Sequence, residues 1–159
     1  MGRLDSQHPF LLSASGIAHT RAPVARRERR LRMTMNLYAA WIGFLLGAVA
    51  GASSGLFFAN EDWLGGYADW RRRMIRLGHV SFFGIGFLNL GFALTVRALD
   101  LPAGVGVWLP ADLLILGAIT MPIICYLSAF RKGFRHLFFL PAGAVTVALA
   151  VFAWRLVSA

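Results

Sequence analysis

The chain has 159 residues, of which 58% are hydrophobic and 14% are charged, whereas about a quarter of the residues in a soluble domain are charged. This composition excludes an ordinary soluble domain and predicts a bilayer as the solvent, in which the backbone satisfies its own hydrogen bonds. The apolar runs are continuous rather than alternating, so they predict helices. We therefore expect an all-α membrane protein, with four transmembrane helices in an up-down bundle and a short interfacial helix between spans one and two.

The net charge of +9 comes almost entirely from arginine, since Lys132 is the only lysine. Arginines at the ends of apolar runs favour roles in membrane topology and in contacts with lipid phosphates. They do not favour nucleic-acid binding, because the aromatic residues lie in the apolar runs and not among the basic residues. The single cysteine, Cys125, excludes an intramolecular disulfide and a cysteine-rich metal motif.

The first 35 residues are polar, rich in arginine and without helical periodicity, so they predict a disordered basic tail. Met33 and Met35 directly precede the first apolar run, which leaves open a translation start later than Met1. Residues 36–159 are then one four-helix transmembrane domain, because four spans of about 20 residues each leave no room for a separate soluble domain.

The first span covers residues 37–59 and contains no charged residue. Glycine recurs in it at every fourth position, namely at Gly43, Gly47, Gly51 and Gly55. This glycine zipper predicts a groove that lets a second helix approach closely, in this chain or in another one. An alternative is a signal peptide cleaved after Ala50, but the apolar run continues past that site to full spanning length.

The connection after the first span contains Trp63, Tyr67 and Trp70 at spacings of three and four residues, followed by arginines. Aromatic rings favour the headgroup level and arginine stems reach it, so this pattern predicts a short interfacial helix. The second span covers residues 77–96, and its Asn89 is expected to form a hydrogen bond to another helix.

The third span is predicted over residues 110–130, because Pro110 suits the first position of a helix. Pro122 inside this span predicts a bend. Met121 and Cys125 share one helix face and are soft ligands that suit copper, although such pairs are far more often packing residues. The fourth span covers residues 136–157.

Basic residues are distributed unequally between the two ends of the predicted bundle. One end has seven and the other has two before the tail is counted: Arg71, Arg72, Arg73, Arg76, Arg131, Lys132 and Arg135 against Arg97 and Arg155. With translation from near Met33, the positive-inside rule places both termini outside the cytoplasm, whereas a translated tail restores near balance. We expect a multi-pass protein of the bacterial inner membrane.

Two histidines, His79 and His136, are predicted at the same depth on the same side of the membrane, because an even number of spans separates them. Neutral imidazoles are axial ligands of haem iron, so haem b is the candidate cofactor, with Arg76 and Arg135 as partners of its propionates. A quinone or metal site is a second hypothesis for this pair. The simpler interpretation is structural, with each ring bonded to a backbone carbonyl or a headgroup.

Two functions follow from these patterns. The first is a small integral inner-membrane protein without catalysis of its own, acting as an accessory or assembly subunit that binds another membrane protein or a second copy through the glycine-lined face. The alternative is a bis-histidine b-haem or quinone-binding redox subunit. A proton-coupled transporter is not favoured because no paired carboxylates lie within the spans, and no nucleophile-base motif favours an enzyme.

Overall fold

The computed structural model describes the backbone of residues 10–57 and 59–158 and the side chains of residues 24–57 and 59–158. These residues form helices and no strand. The elements in order are α1 (Phe10–Leu56), a 3-10 helix (Trp63–Gly65), α2 (Trp70–Ala98), α3 (Val105–Phe130), a second 3-10 helix (Lys132–Phe138) and α4 (Phe139–Val157).

The described part of the chain contains four helical segments that are long and apolar enough to cross a bilayer. They are Val24–Leu56, Trp70–Ala98, Val105–Phe130 and Lys132–Val157. The predicted all-helical class and the number of candidate spans are therefore confirmed. These helices are compatible with a multi-pass membrane protein.

Helix α1 extends well into the segment for which the sequence predicts a disordered tail. The sequence predicts disorder over residues 1–35, whereas the structure has continuous helix from Phe10 onward; residues 1–9 lie outside the described residues. Arg29 Nη2 lies 2.8 Å from Asp100 Oδ1, and Arg32 forms an ion pair with Asp112. These two ion pairs join α1 to the connection before α3 and to α3 itself, and composition alone does not reveal such contacts between residues far apart in the sequence.

The four helices pack in chain order, α1 on α2, α2 on α3 and α3 on α4, and α1 also reaches α3. One hydrophobic cluster joins them, with Met33, Phe92, Val107 and Ala148 among its buried members. Among the described residues, neither α1 nor α2 has its backbone packed closely against that of α4. Helix α4 therefore lies at the edge of the assembly, where it meets α2 through side chains such as Phe152, whose ring centroid is 4.6 Å from that of Phe92.

The connection between α1 and α2, where the sequence predicts a short interfacial helix, contains a three-residue 3-10 turn, Trp63–Gly65. The turn ends because Gly65 and Gly66 adopt φ values of 86° and 92°, which glycine reaches without steric cost. Asp69 then caps α2 by accepting a hydrogen bond from Arg71 N at 2.8 Å. Trp70, predicted to lie in the interfacial helix, is the first residue of α2.

The predicted start of the third span also differs from the structure, since α3 begins at Val105, five residues before Pro110. Gly104 is the N-terminal cap of α3, and its carbonyl accepts hydrogen bonds from Val107 N and Trp108 N at 2.9 Å. Both Pro110 and Pro122 are buried inside α3.

Candidate functional site

The glycine row of α1 lies against α2 within the same chain. A Cβ added at Gly43 would lie 3.2 Å from the carbonyl oxygen of Phe82, and one added at Gly47 would lie 2.7 Å from the ring of Phe83. Gly86 on α2 makes the reciprocal contact, because a Cβ there would lie 2.7 Å from the Phe44 ring. The two helices thus approach at glycines on both sides, which replaces the hydrophobic drive that lipid does not supply.

The last two glycines of the row differ in their surroundings. A Cβ at Gly51 would lie 2.6 Å from His79 Nε2, whereas a Cβ at Gly55 would meet nothing within 4 Å. The missing side chain at Gly51 therefore makes the space in which the imidazole of His79 packs. The ring of His79 also meets Phe83 edge-on, with the centroids 5.6 Å apart.

The second histidine lies elsewhere in the fold. His136 is exposed in the 3-10 helix Lys132–Phe138, which packs against α3 and α4 and, among the residues with a described position, not against α2. His79 packs on α1 and His136 is exposed on a different element, so the two imidazoles have different surroundings. A bis-histidine haem needs both rings facing one macrocycle, and the haem site stays a prediction.

The two arginines predicted beside the haem lie on different elements. The guanidinium of Arg76 lies 4.1 Å from the centroid of the Tyr67 ring, and its Nη2 donates a hydrogen bond to Tyr67 O at 3.2 Å. Arg135 is exposed in the same 3-10 helix as His136. The sequence predicts depth along each helix, but which side of the helix faces a neighbour depends on tertiary packing.

No group of three or more His, Cys, Asp or Glu side chains that could hold a metal ion occurs in the part of the chain that the structure describes. Cys125, a candidate soft ligand by its sequence position, is buried at the α2–α3 contact. Its Cβ lies 3.2 Å from the position of a Cβ added at Gly78. The arrangement makes Cys125 a packing residue between two helices.

Two buried asparagines lie within the bundle. Asn89 Nδ2 donates hydrogen bonds to Ile85 O at 2.9 Å and to Leu114 O at 3.2 Å, so it links α2 to α3. Asn36, which the sequence pattern did not single out, is fully buried on α1 and donates from Nδ2 to Arg32 O at 3.0 Å. Its position directly before the first apolar run gave no signal of this burial, because a polar residue at a span end is ordinarily exposed.

An arginine-aromatic cluster organises the connection between α1 and α2. Arg72 is only 5% exposed, and its Nη1 donates a hydrogen bond to Glu61 O at 3.2 Å. The guanidinium lies 5.7 Å from the Trp63 ring centroid and 5.4 Å from that of Tyr67. Trp63 in turn stacks on Phe57 with centroids 5.3 Å apart.

The N-terminal end of α2 is also tied to α3. Trp70 Nε1 donates a long-range hydrogen bond to Ser128 O at 2.8 Å. Because Trp70 is the first residue of α2 and Ser128 lies in the last turn of α3, this bond fixes the two helix ends beside each other.

Helix α4 has two faces lined by small residues. Pro141, Ala144 and Ala148 are buried, on the side that packs against α3. The opposite side is exposed and consists largely of small residues, namely Ala142, Gly143, Thr146 and Ala150. A Cβ added at Gly143 would meet nothing within 4 Å. The apolar window of the fourth span is 17% buried inside the chain, compared with 11% for the first span and 39% for α3, so the first and fourth spans are the most exposed of the four.

Comparison with known proteins identifies no relative of this chain. No protein-family model, curated protein or solved structure matches the chain with significance.

The different surroundings of the two histidines predict different effects of their removal. His79→Ala is expected to lower the free energy of unfolding by about 1–2 kcal/mol, because it leaves a gap against Gly51. His136→Ala, at an exposed site, is expected to change it by less than about 0.5 kcal/mol. Unfolding of the detergent-solubilised variants, followed by circular dichroism, measures both. Equal losses for the two variants would contradict this assignment.

Proposed function

We propose that this chain is a small multi-pass accessory subunit of the bacterial inner membrane, which binds a helix of another membrane protein through the exposed small-residue face of α4. The observation that carries the proposal is the pair of small-residue faces on this helix. One is used inside the chain against α3, and the other, Ala142, Gly143, Thr146 and Ala150, is exposed.

The physical reason is the weakness of apolar attraction between helices in lipid. Helices in a bilayer associate where small residues let their backbones approach closely, because lipid tails are as apolar as leucine. Ala142, Thr146 and Ala150 recur at every fourth residue on α4, which is the spacing that produces such a contact. The position of α4 at the edge of the assembly leaves this face accessible to a neighbour.

The docking face that the sequence predicts on α1 is replaced in this proposal. Gly43, Gly47 and Gly51 contact α2 of the same chain, so they are not accessible to a second helix. We keep the proposed accessory role and place the surface that binds the partner helix on α4. The redox alternative receives no support from the surroundings of the two histidines, since His79 packs on α1 and His136 is exposed.

Gly143→Leu tests the proposal directly. The new side chain enters open space, so we expect the isolated protein to keep its unfolding temperature, while the close approach of a second helix is blocked. A clash of about 1–3 kcal/mol corresponds to a loss of affinity of about 5- to 150-fold. The measurement is the mass of the assembly extracted from native membranes in mild detergent, with the subunits identified by mass spectrometry.

Gly91→Leu on α2 is the matched control, because Gly91 is also exposed and also faces open space. We expect Gly91→Leu to preserve both the unfolding temperature and the assembly. A wild-type protein that is extracted alone, or an assembly that survives Gly143→Leu, would contradict the proposed function. An assembly that contains only copies of this chain would show self-association in place of a subunit role.

A further inference from the structure

We infer that a cavity between α1 and α2 binds the phosphate group of an anionic phospholipid. This site is independent of the proposed function, because α1, α2 and the first residues after α2 line it and α4 does not. The cavity has a volume of about 420 Å³. Four arginines border it, three on α1 and one on α2: Arg26, Arg29, Arg30 and Arg97.

Most of this positive charge is not neutralised by the chain. Among the described residues of the lining, Asp100 is the only acidic one, and it pairs with Arg29, with Nη2 and Oδ1 2.8 Å apart. Arg26, Arg30 and Arg97 are exposed and have no ion-pair partner in the described part of the chain. Three unpaired guanidinium groups at one opening therefore attract a ligand with more than one anionic oxygen.

The side chain of Arg29, on one side of the cavity, is held in place by two contacts. Its Nη1 donates a hydrogen bond of 2.7 Å to Leu101 O, in addition to the ion pair with Asp100. These two contacts join α1 to the connection between α2 and α3, so the cavity wall is held at both helices. A guanidinium already held in place loses less conformational entropy when it binds a ligand than a free one does.

The inner wall of the cavity is apolar. It is formed by Met33 and Leu37 of α1 and by Val96 of α2, and Met33 and Val96 are buried. Arg97 directly follows the apolar part of α2, and Arg30 precedes Met33 on α1 by less than one turn. The site thus has the polarity gradient of a bilayer surface, with cations outside and hydrocarbon inside.

Exposed apolar side chains continue inward from the cavity along both helices. Trp41 lies one turn after Leu37 on α1 and is 64% exposed, and Phe87 on α2 is 63% exposed. Both rings contact Phe44, at centroid distances of 5.6 Å and 4.8 Å, so they lie on the same side of the α1–α2 pair. An acyl chain beside these rings has its phosphate at the arginines, which favours a phospholipid over a free phosphate ion.

Binding of defined lipids to the purified full chain tests the inference. In a non-ionic detergent, native mass spectrometry counts the lipids that remain bound while phosphatidylglycerol, phosphatidylcholine or inorganic phosphate is titrated. We expect one retained phosphatidylglycerol and weaker binding of the zwitterionic lipid. The triple variant R26Q/R30Q/R97Q should bind phosphatidylglycerol at least about tenfold more weakly, because it loses charge-assisted hydrogen bonds.

The triple variant R71Q/R73Q/R131Q removes the same charge from exposed arginines outside the cavity and should bind as the wild type does. An equal loss in this control, equal binding of phosphatidylcholine, or equal binding of inorganic phosphate would each overturn the inference. Should R26Q/R30Q/R97Q not fold, as judged by circular dichroism, the single variant R30Q replaces it. An unchanged affinity for phosphatidylglycerol in folded R30Q would likewise overturn the inference.

Discussion

Gly47→Ile is expected to lower the free energy of unfolding by about 1–3 kcal/mol, since overpacked contacts typically cost about that much. A Cβ at this position would already lie 2.7 Å from the Phe83 ring, and the branches of isoleucine add further atoms there. The ring cannot move away freely, because it stacks on Phe44 at 6.2 Å and meets His79 at 5.6 Å. The α1–α2 contact must therefore widen. Thermal or SDS-induced unfolding in detergent micelles measures the loss.

Gly55→Ile is the control in the same glycine row. A Cβ at Gly55 would meet nothing within 4 Å, so we expect a change of less than about 0.5 kcal/mol. The pair separates a packing role from the general effect of a β-branched residue in a helix. Similar unfolding curves for Gly47→Ile and the wild type would show that α1 and α2 do not pack as the structure describes.

Arg72→Ala is expected to lower the free energy of unfolding by about 2–3 kcal/mol, because it removes a hydrogen bond from a charged donor and cation-π contacts with two rings. Arg72 is 5% exposed, and its guanidinium contacts Glu61 O, Trp63 and Tyr67. The connection between α1 and α2 should lose its order in this variant. We expect the tryptophan fluorescence emission maximum to shift to longer wavelength and the unfolding temperature to fall.

Arg73→Ala is the matched control, since Arg73 is the next residue along α2 and is exposed. It removes the same charge and the same side-chain atoms, and we expect the free energy of unfolding to change by less than about 0.5 kcal/mol. A third variant, Arg72→Lys, keeps the charge but loses the planar group that lies over the rings, so it should fall between the two. Equal stability of Arg72→Ala and Arg73→Ala would contradict the buried cluster.

The arginine-lined cavity and the small-residue face of α4 depend on different contacts within the fold. The cavity depends on Arg29, which links α1 to the connection after α2, whereas the small-residue face depends on how α4 packs against α3. A variant at Gly143 should therefore leave phosphatidylglycerol binding unchanged, and R26Q/R30Q/R97Q should leave the assembly intact. Each proposal can fail without affecting the other.

The amino-acid sequence by itself determined the helical class and the four candidate spans. Hydropathy and length are local properties, so continuous apolar runs such as residues 37–59 predict a spanning helix without knowledge of its neighbours. The same local reasoning predicted a close-packing surface along the glycine row from Gly43 to Gly55, and its first three glycines pack closely while Gly55 does not. It did not identify the helix that fills it, because spacing along one helix contains no information about its partner.

Only the tertiary structure decided which residues meet. Arg29 bonds to Leu101, 72 residues away, and it lies in a helix that begins in the segment whose composition predicts disorder. His79 packs against Gly51 while His136 is exposed, so two histidines with the same predicted depth have different surroundings. The physical reason is that the orientation of a helix about its own axis follows from packing with other helices, and contacts distant in sequence set that packing.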